Sequence, residues 1–181
     1  AAIAGDLCDV ESMLALKDFM SGLGSANIDC RQDGAKIGNG PRGSYIFNTS
    51  IAGIEEADAC LIVGSNPRWE AAMVNARIRK RFLKGRFQVG LIGPEVDLTY
   101  DYAHLGDDPG ALAALAKGKG DFAKVLDQAE RPMIVLGSGV LARDDGDALL
   151  ALVREVAERY GMVSDDWNGF NVLQRAASRV G

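Results

Sequence analysis

Three consecutive apolar residues, Leu61-Ile62-Val63, run into Gly64-Ser65-Asn66-Pro67 and then into helix-forming residues that end near Lys84. A strand without polar alternation suits only a sheet covered on both faces. Asn66 can cap the helix, and Pro67 fits its first position, where a missing N–H costs nothing. Strand, tight turn and helix in this order make the repeating unit of a parallel α/β sheet. Open sheets of that kind place ligands at the carboxyl ends of their strands. The Gly64–Pro67 turn is therefore where a ligand would bind.

The same unit recurs along the chain. Phe87–Ile92 reads as a strand stopped by Gly93-Pro94, Met133–Leu136 as another, and Asp144–Tyr160 as a long helix. Upstream, Ile3-Ala4-Gly5 ends a strand. Asp9 then caps a helix with Val10, Met13, Leu14, Leu16 and Phe19 on its apolar side, and Ala26–Cys30 forms a second short strand. Short helices are expected at Ile51–Ala57, Pro109–Ala116 and Phe122–Ala129, with a last one at Val172–Arg179. Arg31–Ser44 and Val96–Gly110 read as irregular. On the helix after Pro67, Trp69, Ala72, Met73 and Ala76 form the expected inward stripe. The expected fold is a three-layer, mostly parallel α/β sheet of Rossmann-like type. All 181 residues read as one domain with a weak break near Gly118-Lys119-Gly120. Ala1 and Val180-Gly181 read as the cut ends of a piece of a longer protein.

Charge and cysteines narrow the function. A net charge of −5 argues against nucleic acid as a partner. No apolar run approaches the roughly 20 residues of a membrane helix, so direct membrane insertion is not expected. Cys8, Cys30 and Cys60 lie far apart with no CxxC, so neither a metal nor an iron–sulfur cluster is expected on them. Cys60 reads as a small apolar core residue.

Four features carry chemistry. The Gly64-Ser65-Asn66-Pro67 turn presents backbone N–H groups suited to an anion, or else its Gly and Pro simply serve a tight connection. Gly137-Ser138-Gly139-Val140-Leu141-Ala142 matches the GxGxxA dinucleotide pattern, and Asp165 and Asp166 follow about 20 residues on, where a ribose-binding acid belongs. That acid should end a second strand, and only Gly161–Ser164 is available, so nucleotide binding is not expected here. Arg77, Arg79, Lys80, Arg81, Lys84 and Arg86 gather six cations in a chain whose balance is acidic. They read as a docking surface for an acidic neighbour, with Asp144–Asp147 as the alternative partner within the chain. His104 stands beside Tyr100 and Tyr102 without a nucleophile or acid at useful spacing, and reads as structural.

The stretch Val63–Arg81, VGSNPRWEAAMVNARIRKR, resembles the large iron–sulfur subunit of respiratory NADH:quinone oxidoreductase (complex I). So do Val96–Gly106, Arg131–Ser138, Phe47–Asp58 and the early IAGDLCDVESMLALKD, in order. The resemblance implies the nucleotide-binding-like domain of the molybdopterin oxidoreductase fold, in a lineage that kept the fold and lost the cofactor. In that superfamily a GxNP loop contacts the pterin dinucleotide, which makes Gly64, Ser65, Asn66 and Pro67 a vestigial cofactor site. The implied role is scaffolding of electron transfer from NADH to quinone. No catalytic residue and no cofactor are expected in this part, and the iron–sulfur clusters lie elsewhere in the subunit. The implied partners are the other peripheral-arm subunits, on the cytoplasmic side of a bacterial inner membrane or the matrix side in mitochondria. The alternative is the pterin-dinucleotide-binding part of a formate-dehydrogenase-like oxidoreductase.

Overall fold

A computed structural model describes residues 1–31, 33–38 and 40–176. The chain opens with a small unit of β1 (Ala2–Ile3), α1 (Val10–Gly22) and β2 (Ile28–Asp29), in which the two strands pair in parallel. Asp9 caps α1 as its sequence position predicts, its carboxylate accepting the Ser12 N–H at 2.6 Å. A 3-10 turn at Arg42–Ser44, α2 (Ser50–Gly53) and a second 3-10 turn at Ile54–Glu56 lead into the main sheet.

That sheet is built from β3 (Ala59–Val63), β4 (Gln88–Ile92), β5 (Ala103–Gly106), β6 (Pro132–Leu136) and β7 (Phe170–Val172). Between them run α3 (Pro67–Glu70), α4 (Ala72–Leu83), α5 (Pro109–Ala116), α6 (Asp121–Gln128), α7 (Ser138–Leu141) and α8 (Gly146–Arg159). The strand order is β5-β4-β3-β6-β7 and every pairing is parallel. The chain moves outward from β3 to β5, then returns to lay β6 on the other side of β3. The sheet's topological switch thus falls between β3 and β6, the place where doubly wound sheets open a ligand crevice.

β3 is buried along its whole length, as its unbroken apolar run requires. Ala59, Leu61 and Val63 pack into a core with Leu112 of α5, Phe122 and Leu126 of α6 and Val153 of α8. Cys60 and Ile62 face the opposite layer, against Val74 and Ile78 of α4. Helices cover both faces, so the structure has the three-layer architecture expected from the sequence. The Gly118–Gly120 turn joins α5 to α6, and both helices contribute to the same core cluster.

Several expectations need correction. The residues assigned to the apolar side of α1 are largely in solvent: Val10 is 58% exposed and Phe19 63%, and only Met20 of the helix is buried. A pair of two-residue strands offers too little surface to cover more of it. Trp69 is not a core residue but is 81% exposed, and Met73 is 67% exposed. The stretch after Pro67 is two helices rather than one, broken at Ala71 (φ −150°, ψ 65°). The buried stripe of α4 is Val74, Asn75 and Ile78. Asn75 tolerates burial because it donates to the Leu98 carbonyl at 3.1 Å and accepts from the Tyr100 hydroxyl at 2.8 Å. Val96–Gly110 contains a strand, β5, and a further strand, β7, begins at Phe170. Residues 173–176 are not helical, while the rest of the helix expected at Val172–Arg179 lies outside the described residues.

Candidate functional site: the crevice between the third and sixth strands

The two turns singled out in the sequence meet at the carboxyl ends of β3 and β6. The Gly64 N–H donates to the Ile92 carbonyl at 2.8 Å, and the Gly137 N–H to the Val63 carbonyl at 2.9 Å, which stitches both turns to neighbouring strands. A Cβ on Gly137 would lie 2.1 Å from the Gly64 carbonyl oxygen. A Cβ on Gly64, whose φ is +57°, would lie 2.1 Å from a Val140 methyl. These glycines therefore serve the close approach of two protein segments. Where a Gly-rich turn normally admits a pyrophosphate, Val140 and the opposing backbone fill the space.

The contact leaves a cavity on either side. One, of about 310 Å³, is lined by Gly64, Gly93, Asp108, Leu112, Val140 and Arg143. The other, of about 420 Å³, is lined by Glu70, Ser138, Gly139, Leu173, Gln174 and Arg175. Glu70, in the wall of this second cavity, is already the acceptor for the donors of the Gly64–Pro67 turn. The Asn66 N–H donates to one carboxylate oxygen of Glu70 at 2.8 Å, and the buried Ser65 hydroxyl donates to the other at 3.1 Å. Asn66 makes no side-chain cap bond to α3, contrary to expectation. Its φ of −106° and ψ of 87° lie off the usual cap conformation, its buried Oδ1 has no hydrogen-bond partner among the described residues, and Glu70 accepts the N–H of Asn66 itself. Sequence reasoning missed Glu70. Its signal is an acid four residues after the cap position, close to a capping-box spacing.

The dinucleotide reading of Gly137–Ala142 lacks its acid. Asp165 and Asp166 precede β7, which runs parallel to β6, so they sit at the amino end of the sheet and not at the crevice. Gly161–Ser164 forms no strand, only an isolated antiparallel bridge from Val163 to Asn168.

The basic run lies on α4 and the turn after it. Arg77, Lys80 and Lys84 converge on Glu55, with Lys80 Nζ at 2.7 Å and Lys84 Nζ at 2.6 Å from its carboxylate. Arg81 donates to the Ala57 carbonyl at 2.7 Å and the Gly85 carbonyl at 2.8 Å, and its guanidinium lies 5.0 Å from the Phe87 ring centroid. Arg79 reaches the Thr99 carbonyl at 3.3 Å. Within Asp144–Asp147, Asp145 pairs with Arg143 at 2.7 Å, and no ion pair joins this segment to the basic run among the described residues. The partner within the chain is thus Glu55, which is 22 residues before Arg77 and gives no local signal in the sequence.

Hydrogen bonds from Lys80, Lys84 and Arg77, in that order, outweigh desolvation and draw the Glu55 carboxyl down from 4.5 to about 2. A depressed folded-state value gives stability that is complete above about pH 4.5 and is lost as the pH falls toward 2. The melting-temperature gap between the wild type and Glu55→Gln should therefore close over that interval. It should also narrow with salt, because Lys80 and Lys84 are more than half exposed.

His104 is held by the fold. Its Nε2 lies 2.8 Å from the Gly93 carbonyl and its Nδ1 lies 3.4 Å from Glu95, while Tyr100 and Tyr102 bond to Asn75 and to the Val96 carbonyl. Cys60 is fully buried, and burial pushes its thiol up to about 12. Among the described residues, no group of three or more His, Cys, Asp or Glu side chains is placed to hold a metal ion.

The whole chain, residues 1–181, matches the family model of molybdopterin oxidoreductase. It is 48% identical over 178 residues to "NADH dehydrogenase (ubiquinone) iron-sulfur protein 1, mitochondrial" of Solanum tuberosum, covering 98% of this chain and 24% of the relative. It is 46% identical over 186 residues to "NADH-ubiquinone oxidoreductase 78 kDa subunit, mitochondrial" of Neurospora crassa, covering 99% of this chain and 25% of the relative. It is 44% identical over 181 residues to a subunit of the NADH-quinone oxidoreductase of Rickettsia typhi, covering 100% of this chain and 27% of the relative. The chain spans about a quarter of the length of the curated relatives it matches.

Proposed function

Since this chain belongs to the molybdopterin oxidoreductase family, we propose that it is a framework domain of the large iron–sulfur subunit of an NADH:quinone oxidoreductase. It supports electron transfer from NADH to quinone without catalysing a step itself. The observation that carries this reading is the 44–48% identity, over essentially the whole chain, to relatives named for that activity. The iron–sulfur clusters then lie in other parts of the subunit, and the partners are the other subunits of the peripheral arm. The setting is the cytoplasmic side of a bacterial membrane or the mitochondrial matrix side. No helix among the described residues is long and apolar enough to cross a membrane.

The residues at the crevice do not fit the pterin dinucleotide that the family name implies. Its phosphates would need the donors that Glu70 holds, and its body would need the space between Gly64 and Gly137. The same mismatch weighs against the formate-dehydrogenase-like alternative. The purified chain is expected to release no pterin fluorescence on acid treatment and to contain no stoichiometric molybdenum, tungsten or iron. Any of these at one per chain would overturn the framework reading.

The exposed cations of the basic run are the proposed contact with an acidic neighbour in the arm. Arg81 belongs to the fold, and Glu55 offsets only part of the charge of Arg77, Lys80 and Lys84. Arg79 and Arg86 are therefore the positions to reverse. The double change to Glu in the full subunit should leave its melting temperature within a few degrees, since exposed pairs contribute about 0–1 kcal/mol. Incorporation into the complex should fall, and fall further at raised ionic strength. Normal incorporation would rule out this docking surface.

A further inference from the structure

The small β1–α1–β2 unit is apolar on its outside. Seven of the twelve exposed large apolar side chains among the described residues lie between Ile3 and Ile28, and Leu7 is 96% in water. Its sheet is also incomplete. Parallel sheets gain their stability from several strands covered on both faces, yet this one has two strands, and neither contains a buried residue. The open edge is that of β1. The Ala2 and Ala4 N–H groups donate to the Asn27 and Asp29 carbonyls at 2.8 and 2.9 Å. Alternate residues of a strand serve the same neighbour, so the Ile3 N–H and C=O point to the opposite edge, where no strand lies among the described residues. At the far edge of β2, the Ile28 N–H turns back to the Ala26 carbonyl at 3.0 Å and closes the matching position. Edges left to solvent are normally guarded by charged side chains or proline, and Ala1–Gly5 has neither.

We propose that β1 takes a further parallel strand along its Ile3 edge, supplied by the part of the full subunit outside residues 1–181, and that apolar residues flanking this strand cover Val10, Leu14 and Phe19 of α1. The chain spans about a quarter of the length of the relatives it matches, which leaves ample polypeptide to supply the strand. Parallel strands are joined by long crossovers within one chain, which favours the same polypeptide over a separate subunit. A second copy of residues 1–181 is a poorer fit, because its own open edge is the same two-residue strand and offers little to pair with. The proposal rests on the reading of the chain as one domain of a larger subunit and is independent of the electron-transfer role.

The test compares the chain 1–181 with the isolated full subunit, both as monomers and free of other subunits. Hydrogen exchange at the Ile3 amide and hydroxyl-radical oxidation of Leu14 and Phe19 are read by mass spectrometry. In the full subunit the Ile3 amide should exchange at least about tenfold more slowly, and Phe19 should be oxidised at no more than about a third of the rate. Phe19→Glu gives an independent reading. It should lower the melting temperature of the full subunit by several degrees and leave that of the chain 1–181 within about one degree. Equal exchange and oxidation in the two monomers would overturn the proposal. So would protection that arises only when other subunits are added, or only as the chain 1–181 is concentrated, since the occupant would then be a separate subunit or a second copy. Pterin or metal bound to the wild-type chain would instead overturn the framework reading and leave this assignment standing.

Discussion

Gly137→Ala is expected to destabilise the protein by about 3 kcal/mol or to prevent it from folding. The added methyl would sit 2.1 Å from the Gly64 carbonyl oxygen, 2.8 Å from its carbon and 2.9 Å from Ser65 Cβ. Two of these neighbours are backbone atoms tied into the sheet, because the Gly64 N–H is bonded to Ile92 and the Gly137 N–H to Val63. Neither turn can retreat without breaking a ladder. The cost is purely one of space, since Gly137 has a φ of −72° that alanine adopts freely. Two residues on, Gly139 has nothing within 4 Å of its Cβ position and lies inside α7. Gly139→Ala should be neutral or stabilising by about 0.5 kcal/mol. Urea denaturation of the two variants makes the comparison. Equal midpoints would mean that the two turns do not meet as described.

Leu61→Ala should cost about 2–5 kcal/mol, whereas Trp69→Ala should change stability by no more than about 0.5 kcal/mol. Leu61 is at the centre of β3, fully buried, with Gly90 and Ile134 as its strand neighbours. Its removal opens a void that the packed strands on both sides cannot close. Trp69 has more surface to lose but keeps 81% of it in water, so little leaves solvent on folding. Chemical denaturation with a shared slope would give both values. A Trp69→Ala loss of the Leu61 size would show that the indole is packed after all.

Trp69 also marks the limit of what local sequence can show. β3, its turn, α4, β4, β6 and α8 are legible because each carries a local signal: an apolar run, a proline at a first helical position, a glycine after a strand. The inward face of α4 is not, for two reasons. The break at Ala71 shifts the helical phase, so periodicity counted from Trp69 does not carry through. Asn75 occupies an inward position, and a polar residue hides a buried stripe unless its partners Leu98 and Tyr100 are already known to be near. β5 escapes because it is a half-covered edge strand containing His104 and Gly106, and β7 because three residues are too few for a period. At the site, the two glycine turns can be read singly, but their contact is a product of strand order. The role of Glu70 depends on a hydrogen bond that only the folded α3 creates.

The central place of β3 has a kinetic side. Its pairing with β4 joins residues 29 apart, Ala59 with Gln88, whereas its pairing with β6 joins residues 73 apart, Ala59 with Pro132. On loop-closure entropy alone the second pairing costs about 0.8 kcal/mol more than the first. During synthesis the segment carrying β6 also emerges later. The β3–α4–β4 unit can therefore assemble while the far side of β3 is still bare. That edge is five apolar residues with no charge to guard it, the kind of strand that captures another copy of itself. Folding yield should thus depend on how quickly residues 132–136 reach β3, with the final stability playing little part.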